Sequence, residues 1–296
     1  MKILVTGDAG QLGSYLVGEL SKGHEVTGLD LRKPEHPAKG VRHVCGDIGD
    51  YRLAMDLCRH ADAVIHTAAQ VSVDRSVSDP VLDARENILG TLNMLEAATK
   101  SMVSQFIYIS SAATYGNPQK IPLDEGHPRE PLSPYGVSKL AGENYAFAFG
   151  ATYGLKVTAI RPFNIYSVRQ DPDSPYSGVI SRFVGRAKAA EPLTVHGDGT
   201  QTRDFVHAGD VVAMIGLCLG NPKAHGQAFN CGTGKAVSVN QLADMVIKLS
   251  GKKIGRENYE SRIGDIMHII PDISKAKKVL GYRPATDLKK GLAEFF

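Results

Sequence analysis

The stretch KILVTGDAGQLGSYL, Lys2 to Leu16, decides how the rest of the chain reads. Ile3, Leu4 and Val5 make a short apolar run of the kind that forms a buried strand. Glycines follow at Gly7, Gly10 and Gly13, with a helical pattern directly behind them. Glycine permits the tight turn, lets backbone approach a pyrophosphate and lets the helix pack on the strand. The helix N-terminus adds unpaired N–H groups and the positive end of its dipole. The stretch thus predicts a strand, turn and helix built for a dinucleotide, with Gly7, Gly10, Gln11, Leu12 and Gly13 at the phosphates.

The same alternation continues outward. HEVTGLD, DAVIHTAA, QFIYISS and KVTAIRPFN read as strands, separated by the helical patterns DYRLAMDLCRH, NILGTLNMLEAATKS and YGVSKLAGENYAFAFGATYG. Short β-rich runs alternating with longer helices predict βαβ units, hence an α/β fold with a Rossmann-like, doubly wound parallel sheet. Between Tyr166 and Thr202 the pattern breaks into Gly, Pro, Ser and Asp around one helix, GVISRFVGRAKAA, which suggests substrate-facing loops. DVVAMIGLCLG and QAFNCG read as a helix and strand rejoining the sheet, and SVNQLADMVIKLSG, with Asn240 as cap, and DISKAKKVLGY as two late helices. The expected division is a cofactor domain over 1–165, rejoined by 204–232, and a smaller C-terminal α/β substrate-binding domain over 166–296.

Composition narrows the function classes. The 296 residues are 43% hydrophobic and 22% charged with a net charge of +3 and no Lys/Arg block, which argues against a nucleic-acid surface. No stretch approaches the roughly 20 apolar residues that span a bilayer. The first residues enter a strand without a leader pattern, so a cytoplasmic location away from membranes is expected. Cys45, Cys58, Cys218 and Cys231 form no CxxC pair and read as reduced thiols, while the ten histidines lack HxxxH or HExxH spacing, so no metal is expected.

At the end of the second strand, Asp30 stands where an acid bonds the adenosine ribose hydroxyls and repels a 2′-phosphate, which favours NAD over NADP. Arg32 and Lys33 follow at once and offer the opposite preference, or a solvated loop. Asp47, followed by Ile48, suits the adenine, although an Asp after Gly also reads as a turn residue or cap. HTAA ends a strand in small side chains, and Ala68 and Ala69 leave room for a cofactor. His66 reads as a core histidine rather than a catalyst.

SPYGVSKLAGE places Tyr135 and Lys139 four residues apart, on one face of a helix that Ser133 caps and Pro134 begins. A phenol titrates near 10, and bringing it down by about three units takes roughly 4 kcal/mol. A cation at ~5 Å contributes on the order of 3 kcal/mol at an effective dielectric near 20. Lys139 alone falls short, whereas Lys139 with the positive nicotinamide ring suffices.

With these residues in view, the chain resembles the extended short-chain dehydrogenases/reductases of the nucleotide-sugar epimerase/dehydratase branch. GDAGQLG, Asp30, HTAA, ISSAATYG, SPYGVSK and RPFNIYS occur in that family's order over essentially the whole chain. The resemblance implies that Ser111, Tyr135 and Lys139 are catalytic, with Tyr135 the acid/base and Ser111 sharing its hydrogen bond to the sugar. It puts Asn87 near the cofactor, with a helix-surface amide as the plain alternative, and gives Ser110 no direct chemistry. In GDGTQTRDFVH and SRIGD it assigns Arg203 and Arg262 to a nucleotide diphosphate, which guanidinium forks suit. It assigns Asp265 to the nucleotide ribose and Asn164 to a phosphate. The implied activity is a UDP-sugar 4-epimerase, UDP-glucose/UDP-galactose first, acting through reversible hydride transfer at C4 to tightly held NAD, as a homodimer. UDP-glucuronate and UDP-N-acetylhexosamine forms stay open.

Ala112 and Ala113 stand where a 4,6-dehydratase carries Asp-Glu. A 4-keto-sugar reductase would consume reduced cofactor, and a cofactor-sensing regulator would have no need of the three catalytic groups. Three departures from the family pattern mark the substrate side. Tyr166, Ser167 and Val168 replace Tyr-Gly-Pro, Gln11-Leu12 replaces an aromatic-Ile step, and Ile269 stands at the position that limits sugar size.

Overall fold

A computed structural model describes residues 1–170, 178–260 and 266–296. In chain order its first half runs β1 (Lys2–Thr6), α1 (Gln11–Leu20), β2 (Glu25–Asp30), β3 (Arg42–Cys45), α2 (Tyr51–Cys58) and β4 (Ala63–His66). It continues through α3 (Val73–Ser78), α4 (Pro80–Ala84), a π-helical turn (Arg85–Leu89), α5 (Gly90–Lys100), β5 (Gln105–Ile109), a 3₁₀ turn (Ala112–Thr114), α6 (Pro134–Tyr153) and β6 (Lys156–Pro162).

The remainder comprises β7 (Asn164–Tyr166), α7 (Val179–Lys188), β8 (Leu193–His196), β9 (Thr202–Arg203), β10 (Phe205–His207), α8 (Ala208–Cys218), β11 (Gln227–Cys231) and β12 (Val237–Ser238). Then come α9 (Val239–Ser250), β13 (Arg256–Tyr259), β14 (His268–Ile269), α10 (Ser274–Leu280) and α11 (Leu288–Ala293).

Seven strands form one parallel sheet in the order β11-β6-β5-β4-β1-β2-β3. The inner strands β1, β4, β5 and β6 are mostly apolar and buried because both faces of the sheet are covered there. Ile3, Val5, Ile65, Ile107 and Ile109 point into a core shared with α1 and α8, while Leu4, Val64, Phe106 and Tyr108 point into the opposite core, shared with α2, α5 and α6. The chain progresses outward from β1 to β3, then reverses across β4, β5 and β6. The reversal leaves a crevice at the carboxyl ends of β1 and β4, where such sheets take their ligands.

A third apolar cluster joins Phe183 and Val184 of α7, Leu193 and Val195 of β8, Phe205 of β10, Leu242 and Val246 of α9, and Leu292 of α11. The cap of α9 differs from the sequence reading. Ser238 accepts from the Gln241 N–H at 3.1 Å and the Gln241 side chain returns a bond to Ser238, a capping box. Asn240 instead donates to the Asp198 carbonyl at 2.8 Å. No helix of the described residues is long and apolar enough to cross a membrane.

Candidate active site

Gly7 leaves β1 with φ +76° and donates its N–H to Leu29 O at 2.7 Å, so the turn is bonded to β2. A Cβ on Gly7 would lie 2.7 Å from the Ala68 nitrogen, and one on Gly13 would overlap the Gly7 carbonyl. Gly10 brings no side chain to the start of α1, and no acid stands in the first turn of that helix. The leading N–H groups of the helix, at Gln11, Leu12 and Gly13, therefore face the crevice uncapped. This side-chain-free cradle fits a dinucleotide pyrophosphate.

Gln11 reaches away from that cradle. Its amide donates to Ser167 Oγ at 3.1 Å, so two of the departures from the family pattern meet each other across the sheet end. Asp30 accepts from the Ala9 N–H at 3.1 Å and the Arg32 N–H at 3.0 Å, which aims its carboxylate at the glycine turn. Asp47 accepts from the Gly49 N–H at 2.7 Å, a local turn contact at an exposed position, and Ile48 lies against Gly90. Ala68 and Ala69 are half-buried beside the turn.

The sequence reading passed over Asp8. Its carboxylate lies over Gly28, where a Cβ would overlap it, and meets His43 Nδ1 at 2.9 Å on the neighbouring strand. Burial raises its pKa against the pull of His43. Only a missing side chain two residues before Asp30 hints at this pair.

At the end of β5, Ser111 caps the 3₁₀ turn by accepting from the Ala113 N–H at 3.1 Å. Ser133 accepts from the Gly136 N–H at 3.1 Å and Pro134 begins α6, so Tyr135 and Lys139 project from its first two turns. The Tyr135 hydroxyl comes near Ser111, so the end of β5 and the first turn of α6 meet. Burial raises the Tyr135 pKa, the Ser111 bond pulls it back, and Asp83 raises it further. Lys139 is 4% exposed, and its ammonium lies over the Tyr108 ring, 4.6 Å from the centroid. Burial lowers its pKa to about 7, against the opposing charges of Asp83 and Glu143.

His66 is a core residue. Its ring bonds Thr6 Oγ1 at 2.7 Å and Thr91 Oγ1 at 3.1 Å, and burial, with Lys139, pulls its pKa to about 3. Asn87 sits on the inward side of the π-helical turn, 1% exposed. Its amide accepts from the Gln70 N–H at 2.8 Å and donates toward Gln70 O, Asp83 Oδ1 and Ser138 Oγ at 2.9, 3.1 and 3.0 Å. These bonds tie the loop after β4 to α4 and α6.

Behind the helix, Glu143 accepts from Arg161 Nη2 at 2.6 Å, Arg161 Nε at 3.0 Å and Arg129 Nη1 at 2.8 Å. Burial pushes the Glu143 pKa up, but Arg161, Ser110 and Arg129 outweigh it and hold the carboxyl below its ordinary value. Arg161 Nη1 donates to Tyr115 Oη at 2.8 Å, and Tyr115 donates to Asn230 Oδ1 at 2.6 Å.

On the substrate side Asn164 is exposed and donates to Asp204 O at 2.9 Å. Arg203 on β9 donates to its neighbour's carbonyl, Thr202 O, at 2.9 Å, and pairs in register with Ile269 of β14. Ile269, 7% exposed, packs in a cluster with Ala112, Tyr115, Leu123 and Phe163. Arg262 and Asp265 lie outside the described residues.

Known proteins carry the same pattern. A 36%-identical crystal structure, UDP-glucose 4-epimerase from Thermotoga maritima with UDP-glucose, superposes at a TM-score of 0.95 over 99% of this chain and 96% of that one. The UDP-glucose 4-epimerase of Mycolicibacterium smegmatis is 38% identical over 100% of this chain and 98% of its own. The putative UDP-glucose 4-epimerase of Methanocaldococcus jannaschii is 40% identical over 98% and 95%. The sequence profile of the NAD dependent epimerase/dehydratase family matches residues 3–232. With its glycine turn, Asp30 and Tyr-Lys helix on that profile, the chain belongs to the NAD dependent epimerase/dehydratase family.

Proposed function

We propose that the protein is a UDP-sugar 4-epimerase with UDP-glucose and UDP-galactose as its leading pair. The observation that carries this reading is Ser111 beside the Tyr135 hydroxyl on a helix that also bears buried Lys139, with Ala112 and Ala113 directly after the serine. A dehydratase has to remove a proton from C5 and protonate a leaving hydroxyl at C6. Two methyl side chains supply neither.

Gly7, Gly10, Leu12 and Gly13 would hold the pyrophosphate of NAD, with Gln11 tying the turn to Ser167. Asp30 would take the adenosine ribose, Asp47 and Ile48 the adenine, Ala68 and Ala69 the flank, and Tyr135 and Lys139 the nicotinamide ribose. NAD, when bound, supplies a hydride acceptor and donor for C4 of the sugar. Tyr135 takes the proton from the 4-hydroxyl and returns it after the sugar has presented its other face. Ser111 shares the hydrogen bond to that oxygen. Lys139, one turn along the same helix, would supply positive charge to the phenol, whose ionisation burial opposes. Asn164, Arg203, Arg262 and Asp265 would hold the nucleotide diphosphate, as part of a substrate-binding unit beginning near residue 166.

The quaternary reading is a homodimer through α3, α4, the π-helical turn and α6. Exposed Val77, Val81, Leu89, Leu132 and Val137 support it, as does an apolar cleft of about 490 Å³ lined by Pro80, Ala84, Ile88, Leu132 and Pro134. A cytoplasmic location completes the proposal.

The test is to incubate the NAD-loaded protein with UDP-galactose, UDP-glucuronate and the UDP-N-acetylhexosamines, and to separate the products. The expected result is UDP-glucose from UDP-galactose with no net change in cofactor redox state. A 4-keto-6-deoxy product would move the assignment to the dehydratases. Net consumption of reduced cofactor would move it to the reductases, and no 4-epimer from any UDP-sugar would end it.

A further inference from the structure

We propose that Ser167 and Arg169, just past the end of β7, are positioning residues for NAD: together with Gln11 they brace the first turn of α1, whose N–H groups face the pyrophosphate. The inference rests on the cofactor role given above to that turn and needs nothing from the identity of the sugar.

The brace follows from how α1 begins. Gly7, Gly10 and Gly13 leave the chain entering the helix with more backbone freedom than other residues would. Gly10 caps the helix without a side-chain hydrogen bond, and no acid in the first turn supports its N–H groups. Leu12, Leu16 and Val17 seat α1 on the sheet, so the helix itself forms without further help. Gln11, Ser14 and Tyr15 lie on the other side of the helix, at i, i+3 and i+4 along one face. That face is held from β7.

Three contacts do the holding. Ser167 is fully buried, and its Oγ accepts from Gln11 Nε2 at 3.1 Å. Two residues on, Arg169 Nη1 donates to the Ser14 carbonyl at 2.9 Å, and the same guanidinium lies 4.2 Å from the centroid of the Tyr15 ring. Ser14 Oγ donates back to Gln11 O at 3.0 Å, which joins the braced residues into one turn. Tyr15 also meets the His207 ring edge-on at 5.8 Å, and His207 meets Tyr166 at 5.4 Å, so the ring under Arg169 is fixed as well.

All of these contacts reach α1 from the end of β7 or its partner β10, which carries Phe205 into the third apolar cluster. The brace therefore sets the pyrophosphate end of α1 against the substrate-side unit. Gln11 and Ser167 are both departures from the family pattern, so their bond belongs to this chain. A site already held in its bound geometry spares the ligand the cost of ordering it. An unbraced first turn carries its N–H groups off the pyrophosphate more often, and the effect falls mainly on the rate at which NAD leaves.

The test is the exchange of bound NAD for labelled NAD in the loaded full chain, followed alongside the melting temperature of each variant. Gln11→Met and Ser167→Ala should each speed exchange by about 2- to 10-fold, the range for one neutral hydrogen bond. The double variant should exchange no faster than the faster single one, because both changes remove the same bond. Arg169→Met should speed exchange about tenfold, through the lost charged donor and ring contact, and Arg169→Lys should lie closer to the parent. Lowered melting temperatures with unaltered exchange would make the three residues merely structural and overturn the proposal, as would a double variant whose effect is the product of the two single ones. If Ser167→Ala does not fold, Gln11→Met and Arg169→Met decide, since both side chains are only partly buried. A chain that turns over no UDP-sugar but shows these exchange rates would refute the epimerase reading and leave the brace standing. Turnover of UDP-galactose with exchange unaltered in every variant would do the reverse.

Discussion

Glu143→Gln is the most exacting test of the polar core behind the site. The carboxylate is fully buried and accepts three guanidinium hydrogen bonds, two from Arg161 and one from Arg129. Glutamine keeps the volume but turns an N–H₂ toward donors, and leaves the buried guanidinium of Arg161 short of an anion. Breaking a buried, hydrogen-bonded pair from one side costs about 3–5 kcal/mol. For a chain of this length, about 2 °C per kcal/mol puts the loss near 6–10 °C in melting temperature. The pH dependence adds a sign. A carboxyl held below its ordinary value of 4.5 contributes stability that is present above that value and lost as the pH falls through the folded one. Thermal unfolding by calorimetry should therefore show a gap between the two proteins that is full at neutral pH and narrows in acid. Glu143→Leu combined with Arg161→Met should cost less than Glu143→Gln, because no buried charge is orphaned. A Glu143→Gln protein melting within about 2 °C of the parent, or a gap that persists unchanged in acid, would refute the reasoning.

Gly7→Ala should weaken NAD binding by about 5- to 150-fold in calorimetric titration, since φ of +76° and a methyl 2.7 Å from the Ala68 nitrogen together strain the turn by about 1–3 kcal/mol. Unaltered affinity would show that the turn tolerates a side chain. Tyr135→Phe should lower kcat by about 10²–10⁴-fold, the range for a positioned acid/base, with little change in KM. In the chain without NAD, ultraviolet titration against Tyr135→Phe should show no extra phenolate near neutral pH, because burial raises the Tyr135 pKa despite the Ser111 bond.

Much of this molecule is legible residue by residue. The apolar runs of β1, β4, β5 and β6 read as strands because both faces of a parallel sheet are buried, and the glycine turn announces the cofactor end. Ser133 and Pro134 mark the start of α6 through local capping chemistry alone. Local chemistry misleads at α9, where Asn240 looks like a cap but Ser238 and Gln241 make the box. The partners of Asn87 were not legible, because its amide meets Gln70, Asp83 and Ser138 only in the fold.

What lay out of sight has a common cause. Asp8 with His43 and Glu143 with Arg161 join side chains that are 35 and 18 residues apart, and no periodicity records such distances. Gln11 meets Ser167 only after the sheet has brought the first turn against the end of β7. The sequence by itself determined the strands of the parallel sheet, the glycine turn after β1 and the spacing of Tyr135 and Lys139 on one helix, because each is written in residues near one another. The tertiary structure alone decided which buried charges face one another, and so the protonation of the Tyr135–Lys139 pair. Desolvation and Coulomb interactions depend on proximity in space, which only the folded sheet and its covering helices create.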